Sequence, residues 1–390
     1  MNRASTSLAK LPAAIIVALI VIGIGASYAL YHTRTATSGQ GTVTPSNSRI
    51  IVVTDLLGRR VAVKLPVRRV VAVGPGALRL IVYLNATKYV VGVEAVEKLW
   101  DPVGRVYIMA HPELRSLPVI SPGGPGKMPD AEEIVKVKPD VIFVTFLTRE
   151  EADALQEKTG VPVVSLGSPV LTSVESLNDF YKALRLAGLI LGRERRAEEL
   201  IAYTKSLVSD LQRRVEGAKL NLSVYVGGIG YRGRRGITST WCHYPLFAML
   251  NVESVVDEAG CKGGHVDVSK EFLVRWNPDV VFIDENGLQL ILMDYLKDRG
   301  FYESLKAFRD GRVYGILPFN YYATNYELAL ADAYYIGKIL FPSRFADVNP
   351  VAKANEIMKM FDGKPLYQQL AKRYGGFKQL NLASLAGGGS

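Results

Sequence analysis

The chain has 390 residues, 48% hydrophobic and 22% charged. These values exclude disordered, collagen-like and coiled-coil chains and leave room for two or three domains. Lys and Arg number 47 against 37 Asp and Glu, a net charge of +10; Arg3, Lys10 and Arg34 precede every acid, so the body from Arg49 carries 44 cations against 37 anions, or +7. This mild, scattered excess favours small anionic partners and lacks the dense basic stripe of a nucleic-acid surface, so no nucleic-acid partner is expected. Two cysteines, Cys242 and Cys261, exclude a cysteine-rich scaffold and a CxxC metal knuckle.

Residues 11–30 form an uncharged, largely apolar run of 20 residues behind Arg3 and Lys10. About 20 helical residues span a bilayer, and the preceding cations keep the amino terminus cytoplasmic, so the body is expected outside. The run is read as a retained transmembrane anchor over 1–32; Ser27-Tyr28-Ala29 leaves signal-peptide cleavage as the alternative. Residues 33–48 are half Ser or Thr and read as a flexible stalk. Asn85-Ala-Thr87 and Asn221-Leu-Ser223 match the glycosylation acceptor pattern. In that compartment Cys242 and Cys261 either pair or stay as two buried thiols.

In the body, Ile50-Ile-Val-Val53 and Val61-Ala-Val63 flank a Gly-containing turn, a hairpin signal. Strands follow at 70–73, 89–93, 141–145 and 161–166, alternating with helices at 77–84, 131–137 and 149–158. Near-continuous Val/Ile runs between helices read as parallel strands buried on both faces. This gives an N-terminal α/β lobe over 49–171. Residues 172–217 carry a helical apolar stripe and are read as one long linking helix that Gly188 and Gly192 are able to break. A second α/β lobe over 218–385 has strands at 222–226, 280–283 and 313–317. Its helices fall at 245–250, 269–276, 288–297, 325–340, 351–361 and 366–374, and residues 386–390 read as frayed.

The two halves repeat each other. Glu132-Glu-Ile-Val-Lys-Val-Lys-Pro139-Asp140-Val-Ile-Phe-Val144 is echoed by Glu271-Phe-Leu-Val-Arg-Trp-Asn-Pro278-Asp279-Val-Val-Phe-Ile283, each with seven residues from Glu to Pro. In both, Pro stops a two-turn helix and Asp opens a buried strand. The expected fold is α/β, with two Rossmann-like lobes carrying parallel sheets, joined by one long helix. Ligands of such sheets sit beyond the carboxyl ends of the strands.

With these features the sequence resembles the extracytoplasmic solute-binding proteins of ABC importers for ferric siderophores, haem and vitamin B12, the class linked by a long helix. The resemblance rests on Thr54-Asp-Leu-Leu-Gly-Arg59, Val70-Val-Ala-Val-Gly74, Val91-Gly-Val93, the two Glu…Pro-Asp segments and the linking helix, and covers about 50–341. It implies a monomer that delivers a small-molecule metal chelate to a permease dimer with its ATPase subunits. It also implies one docking Glu per lobe, and Glu132 and Glu271 match those positions. The sequence departs from the family in lacking a lipid-carrying cysteine and in its tail after Phe341.

Candidate ligand contacts come from the strand-end loops. Gly74-Pro-Gly-Ala-Leu-Arg79 offers backbone N–H groups and Arg79 at a helix start. Gly227-Gly-Ile-Gly-Tyr-Arg-Gly-Arg-Arg235 permits close backbone approach and adds Tyr231, Arg232, Arg234 and Arg235, whose guanidinium groups fork onto anions. Trp241, His243 and Tyr244 follow, and His265 precedes the second docking helix. Tyr321, Tyr322 and Tyr326 gather at the last strand end, as a stacking wall or as phenol ligands to iron. With only His243 and His265 well placed among four histidines, no bare-metal site is assigned.

Three classes follow. The first is a non-enzymatic binding protein for an iron chelate, a ferric siderophore or else haem or a corrinoid, with no cofactor beyond that cargo. The second is an extracellular α/β enzyme, but no Gly-x-Ser-x-Gly, His-Glu-x-x-His or Walker motif is present. The third is a receptor subunit or surface-layer adhesin, which the presence of both docking glutamates disfavours.

Overall fold

The computed structural model describes residues 48–124 and 126–387. The expected anchor, the Ser-Tyr-Ala site and the stalk up to residue 47 lie outside the described residues. Among the described residues no helix is long and apolar enough to cross a membrane.

Strands β1 (Arg49–Thr54) and β2 (Arg60–Leu65) form the expected antiparallel hairpin. Asp55 closes its turn. Its Oδ1 accepts from the Leu57 and Arg59 backbone N–H groups, and its Oδ2 accepts from the Arg59 Nε and the Ser165 N–H. The last of these pins the hairpin to the neighbouring sheet. That sheet contains β3 (Val70–Val73), β6 (Val141–Val144) and β7 (Val163–Ser165), all parallel in the order β3-β6-β7. Strands β4 (Val93–Glu94) and β5 (Val119–Ser121) pair in parallel beside it, joined by one bridge between Val70 and Val90. The strand expected at 89–93 is thus broken: Tyr89 ends the 3-10 turn Thr87–Tyr89, Val90 makes that single bridge, and β4 begins only at Val93.

The C-terminal half has its own sheet, ordered β13-β12-β11-β8: β8 (Val224–Gly227), β11 (Val280–Asp284) and β12 (Val313–Ile316) are parallel, and β13 (Lys378–Gln379) is antiparallel at the edge. The two halves therefore share no sheet. A separate hairpin, β9 (Ser239–Cys242) with β10 (Gly264–Asp267), was not foreseen from the sequence. A Cys242–Cys261 disulfide stands beside it and settles the open choice between paired and free thiols.

Alternation along the strands explains how the halves pack. Val70, Ala72, Val141 and Phe143 face inward to a large core that also takes Val224, Val226, Val280 and Phe282. Their neighbours Val71, Val73, Ile142 and Val144 face the helices Ala131–Lys136 and Arg149–Thr159. Tyr225, Val281 and Ile283 do the same toward Leu288–Lys297. Each sheet is covered on both faces, as its unbroken Val/Ile strands require, and the two inner faces share one core.

The link corrects the expectation of one long helix. Two helices, Leu177–Leu191 and Glu194–Val215, are separated by Gly192 in the left-handed region at φ 62°. The chain reverses there, at a conformation that glycine adopts at the least cost. Gly188 lets the second helix approach; a Cβ on it would stand 3.0 Å from the Ala197 Cβ. The end expected to fray is also partly ordered, since Ala386 and Gly387 complete the helix Leu382–Gly387.

The Glu…Pro-Asp repeat has the same structural meaning twice. The residue before each proline, Lys138 or Asn277, has φ 45° and ends its helix. The aspartate after it clamps the start of the adjacent parallel strand. Asp140 Oδ2 accepts from the Arg68 and Arg69 N–H groups at 2.7 and 2.8 Å. Asp279 Oδ2 accepts from the Ser223 N–H at 2.8 Å and its hydroxyl at 2.9 Å, and Lys306 holds Oδ1. The Lys306 ammonium and the Ser223 donors hold the Asp279 carboxyl down at about 2. Asp279→Ala is expected to destabilise the protein by about 1–3 kcal/mol, the loss of charge-assisted bonds to a strand terminus, measured by urea unfolding at pH 7; Asp140→Ala, at an exposed position, is expected to do less.

Candidate ligand-binding site

The parallel strands of both halves end on a cavity of about 1120 Å3. Pro75 follows β3, Phe146 follows β6, the Gly230–Arg234 loop follows β8, Asn286 follows β11 and the Asn320–Ala323 segment follows β12. Ligands of open α/β sheets are found at such strand ends.

Tyr231 stands out from the loop, 39% exposed, with its ring stacked on His265 at 4.2 Å and the Arg232 guanidinium 5.6 Å from its centre. The Ser239 hydroxyl donates to the Ile229 carbonyl at 2.7 Å, so its oxygen accepts from His265 Nε2–H at 2.8 Å. That bond fixes the tautomer and the ring plane on which Tyr231 lies. Burial, with Arg235 nearby, lowers the His265 pKa below its ordinary value although Asp267 opposes it. Arg235 donates Nε to the Tyr231 carbonyl. Arg232 and Arg234 are exposed on the cavity wall, and Arg234 has one long bond, 3.4 Å, to Gln289.

The opposite wall is aromatic. Trp100 stacks on Tyr321 at 6.1 Å and meets Tyr322 edge-on at 5.4 Å. The Tyr322 hydroxyl donates to Glu94 Oε2 at 2.7 Å and accepts from the Gly124 N–H at 3.1 Å. It is a latch between the halves, with its phenol already engaged. Burial raises the Glu94 carboxyl to about 7 despite the Tyr322 hydroxyl and the Gly74 N–H.

Of the twelve sequence-predicted contacts, Tyr231, Arg232, Arg234, Tyr321 and Tyr322 line the cavity. His265 and Arg235 stand behind Tyr231. The remaining positions are corrected. Arg79 is 1% exposed and gives its guanidinium to the carbonyls of Tyr321, Tyr322 and Thr324. Tyr326 stacks on Phe180 at 3.9 Å inside the core, and Tyr244 is buried against Phe247. Trp241 and His243 belong to the β9–β10 region away from the cavity wall, His243 bonding its backbone N–H to Asp257. Sequence reasoning missed Trp100, Asp101, Phe146, Arg373 and Tyr374. Only Phe146, just past a predicted strand end, carried a usable signal. Glu132 and Glu271 are exposed first-turn residues, on helices capped by Asp130 and Ser269.

Residues 70–318, more than half of the chain, match the family described as periplasmic binding protein. The chain belongs to the periplasmic binding protein family. It is a solute-binding protein of the ABC-transporter type. It is 25% identical over 333 residues to the molybdate-binding protein MolA of Haemophilus influenzae, covering 80% of this chain and 90% of that protein. The solved structure of MolA with molybdate superimposes with a TM-score of 0.63 at 21% identity, covering 81% and 98% of the two chains. The TroA-like periplasmic binding protein FepB from Veillonella parvula gives 0.60 at 23% identity, covering 80% and 96%. The heme-binding protein HmuT gives 0.51 at 19%, covering 79% and 97%. The fold of this periplasmic binding protein is thus shared by proteins with differing cargo.

Buried acids support the glycine loop. Burial pushes the Asp284 carboxyl up to about 7 against the N–H groups of Asn286 and Gly230, and Glu285 up to about 8 against the Gly376 N–H. Ordinary carboxyls titrate near 4, so between about pH 4 and 8 the folded protein binds more protons than the unfolded chain, and stability falls as pH rises through that window. Urea midpoints at pH 5, 7 and 9 are expected to fall across the series, and Asp284→Asn is expected to make the fall shallower, with most of its gain at pH 9. Identical slopes would show that Asp284 does not stay protonated in the fold.

Proposed function

We propose that this binding protein captures an anionic metal chelate, of the ferric siderophore type, and delivers it to the permease of an ABC importer, with the body outside the membrane and the amino-terminal run as tether. The supporting observation is the cavity: about 1120 Å3, with Arg232 and Arg234 on one wall and Trp100, Tyr231 and Tyr321 as flat aromatic faces. Weakly hydrated guanidinium groups and aromatic planes suit a bulky, negatively charged, partly aromatic cargo. Haem and corrinoids are the alternatives of the same importer type. A bare oxyanion is a second reading, favoured by the similarity to the molybdate-binding relative; a tetrahedral ion would fill only a small part of the space.

Docking is assigned to Glu132 and Glu271. Each anion has apolar neighbours in the open: Met128 and Val135 border a groove of about 1030 Å3 beside Glu132, and Phe272 and Val274 flank Glu271. Two separated anions, each with an apolar surround, provide register on a two-fold permease. No step in this reading is catalytic.

Titration of the full chain with a ferric tris-catecholate complex, haemin, cobalamin and molybdate, followed by Trp fluorescence and the visible spectrum, is expected to show saturable binding of an anionic chelate; no response to any of the four would refute the reading. Glu132→Ala with Glu271→Ala is expected to leave that affinity within about twofold and to abolish cellular uptake, and unimpaired uptake would remove the docking assignment.

A further inference from the structure

The tail beyond the family match reaches the cavity. The helix Tyr367–Tyr374 ends there and contributes Arg373 and Tyr374 to the wall. Three bonds hold this end in place: the Tyr374 hydroxyl donates to the Val103 carbonyl at 2.9 Å, the Gly376 N–H to Glu285 Oε2 at 2.9 Å, and the Phe377 N–H to the Tyr367 hydroxyl at 2.6 Å. Strand β13 then adds to β12. The placement is therefore built by several elements.

Arg373 points its Nε at Asp101 Oδ2, 3.1 Å away across the two halves. Its other guanidinium nitrogens make no hydrogen bond among the described residues. Partial burial alone would raise the Asp101 carboxyl, but the Val103 N–H and Arg373 hold it below the ordinary range. Both side chains are 44% exposed. A pair so open to water is a weak one. Among the described residues the charged groups lining the cavity are Arg232, Arg234 and Arg373 against the single acid Asp101. Asp101 is thus the only internal anion on the wall that competes with an anionic cargo for a cavity arginine.

We propose that Arg373, supplied by the carboxyl-terminal tail, is a third cationic contact for the anionic groups of the ligand, and that Asp101 competes with those groups for its guanidinium. This deepens the reading of the cavity as an anion-chelate site and rests on it. The tail then sets selectivity by charge: a cargo with several negative groups displaces Asp101 and engages three arginines, whereas a neutral cargo gains nothing from Arg373.

The test is a double-mutant cycle on the full chain with the ferric tris-catecholate complex as probe and cyanocobalamin, which has no net charge, as the control. Arg373→Gln is expected to weaken binding of the anionic probe by about 10–100-fold, the size of a charge-assisted hydrogen bond. Asp101→Asn is expected to tighten it by up to about fivefold, the size of an exposed ion pair. In the Arg373→Gln background the Asp101 effect is expected to vanish, and Arg373→Lys is expected to restore part of the affinity. A purely structural role would move cobalamin and probe alike and leave the salt dependence of binding unchanged; the proposal requires a smaller salt dependence in Arg373→Gln. Unchanged affinity in Arg373→Gln, or weaker binding in Asp101→Asn, overturns the inference while leaving the cavity reading intact if Arg232→Gln with Arg234→Gln weakens the probe. If the wild-type chain binds haemin but not the tris-catecholate complex, haemin is the probe of the cycle; failure to bind either anionic chelate overturns both.

Discussion

The guanidinium of Arg79 lies inside the protein and donates to three backbone carbonyls, of Tyr321, Tyr322 and Thr324, at 2.9–3.1 Å. It rises from the first helix of the N-terminal half and ends on the loop after the last parallel strand of the C-terminal half, 243 residues later in the chain. The rest of the site depends on this contact. Three buried carbonyls without a donor would each be costly, and so would a buried guanidinium without acceptors. Together they force the 321–324 segment against the N-terminal half, and Tyr322 and Ala323 accept left-handed backbone angles of 54° and 65° to do so. The Tyr322 latch to Glu94 and the Asn325 amide on the Gly104 carbonyl continue the same seam.

Because the inner faces of both sheets feed one core, the halves are joined by apolar packing as well as by this polar seam. A wide clamshell motion would open both. The geometry instead favours a preformed cavity, in which cargo is selected by charge and flat surfaces more than by closure. Three buried carboxyls behind the cavity wall fit that role. Glu94, Asp284 and Glu285 are buried enough to hold their protons up to about pH 7 or 8, so they serve as hydrogen-bonding scaffolding without cancelling the positive wall of Arg232 and Arg234.

Much of this was legible in the sequence. Local patterns fixed the hairpin at the start, the Val/Ile strands with helices between them, and the Glu…Pro-Asp repeat, because periodicity, proline and capping residues act over a few positions. The position of the glycine loop was also legible, since its glycines directly follow a Val strand, and Gly230–Arg234 do line the cavity. The β9–β10 hairpin and the edge strand β13 were not legible, because pairing partners decide them; Gly188 and Gly192 marked where the linking segment could break, but packing decided that the second helix folds back on the first.

Among the candidate site residues, residue type and strand-end position were known from the sequence, but the direction each side chain faces was not. Arg79 reads as an anion ligand at a helix start; it is a structural clasp because its guanidinium is buried against the carbonyls of a distant loop. Tyr326 and Tyr244 were drawn into the core by Phe180 and Phe247, while Trp100 and Phe146 were left on the cavity wall. The tail after Phe341 gave no chemical signal, yet it carries Arg373 to the mouth of the site. The sequence alone determined the core strands of both sheets, most of the helices between them and the net positive charge, since these follow from local chemistry. The tertiary structure alone decided which aromatic and cationic groups meet solvent in the cavity, since that depends on contacts between residues hundreds of positions apart.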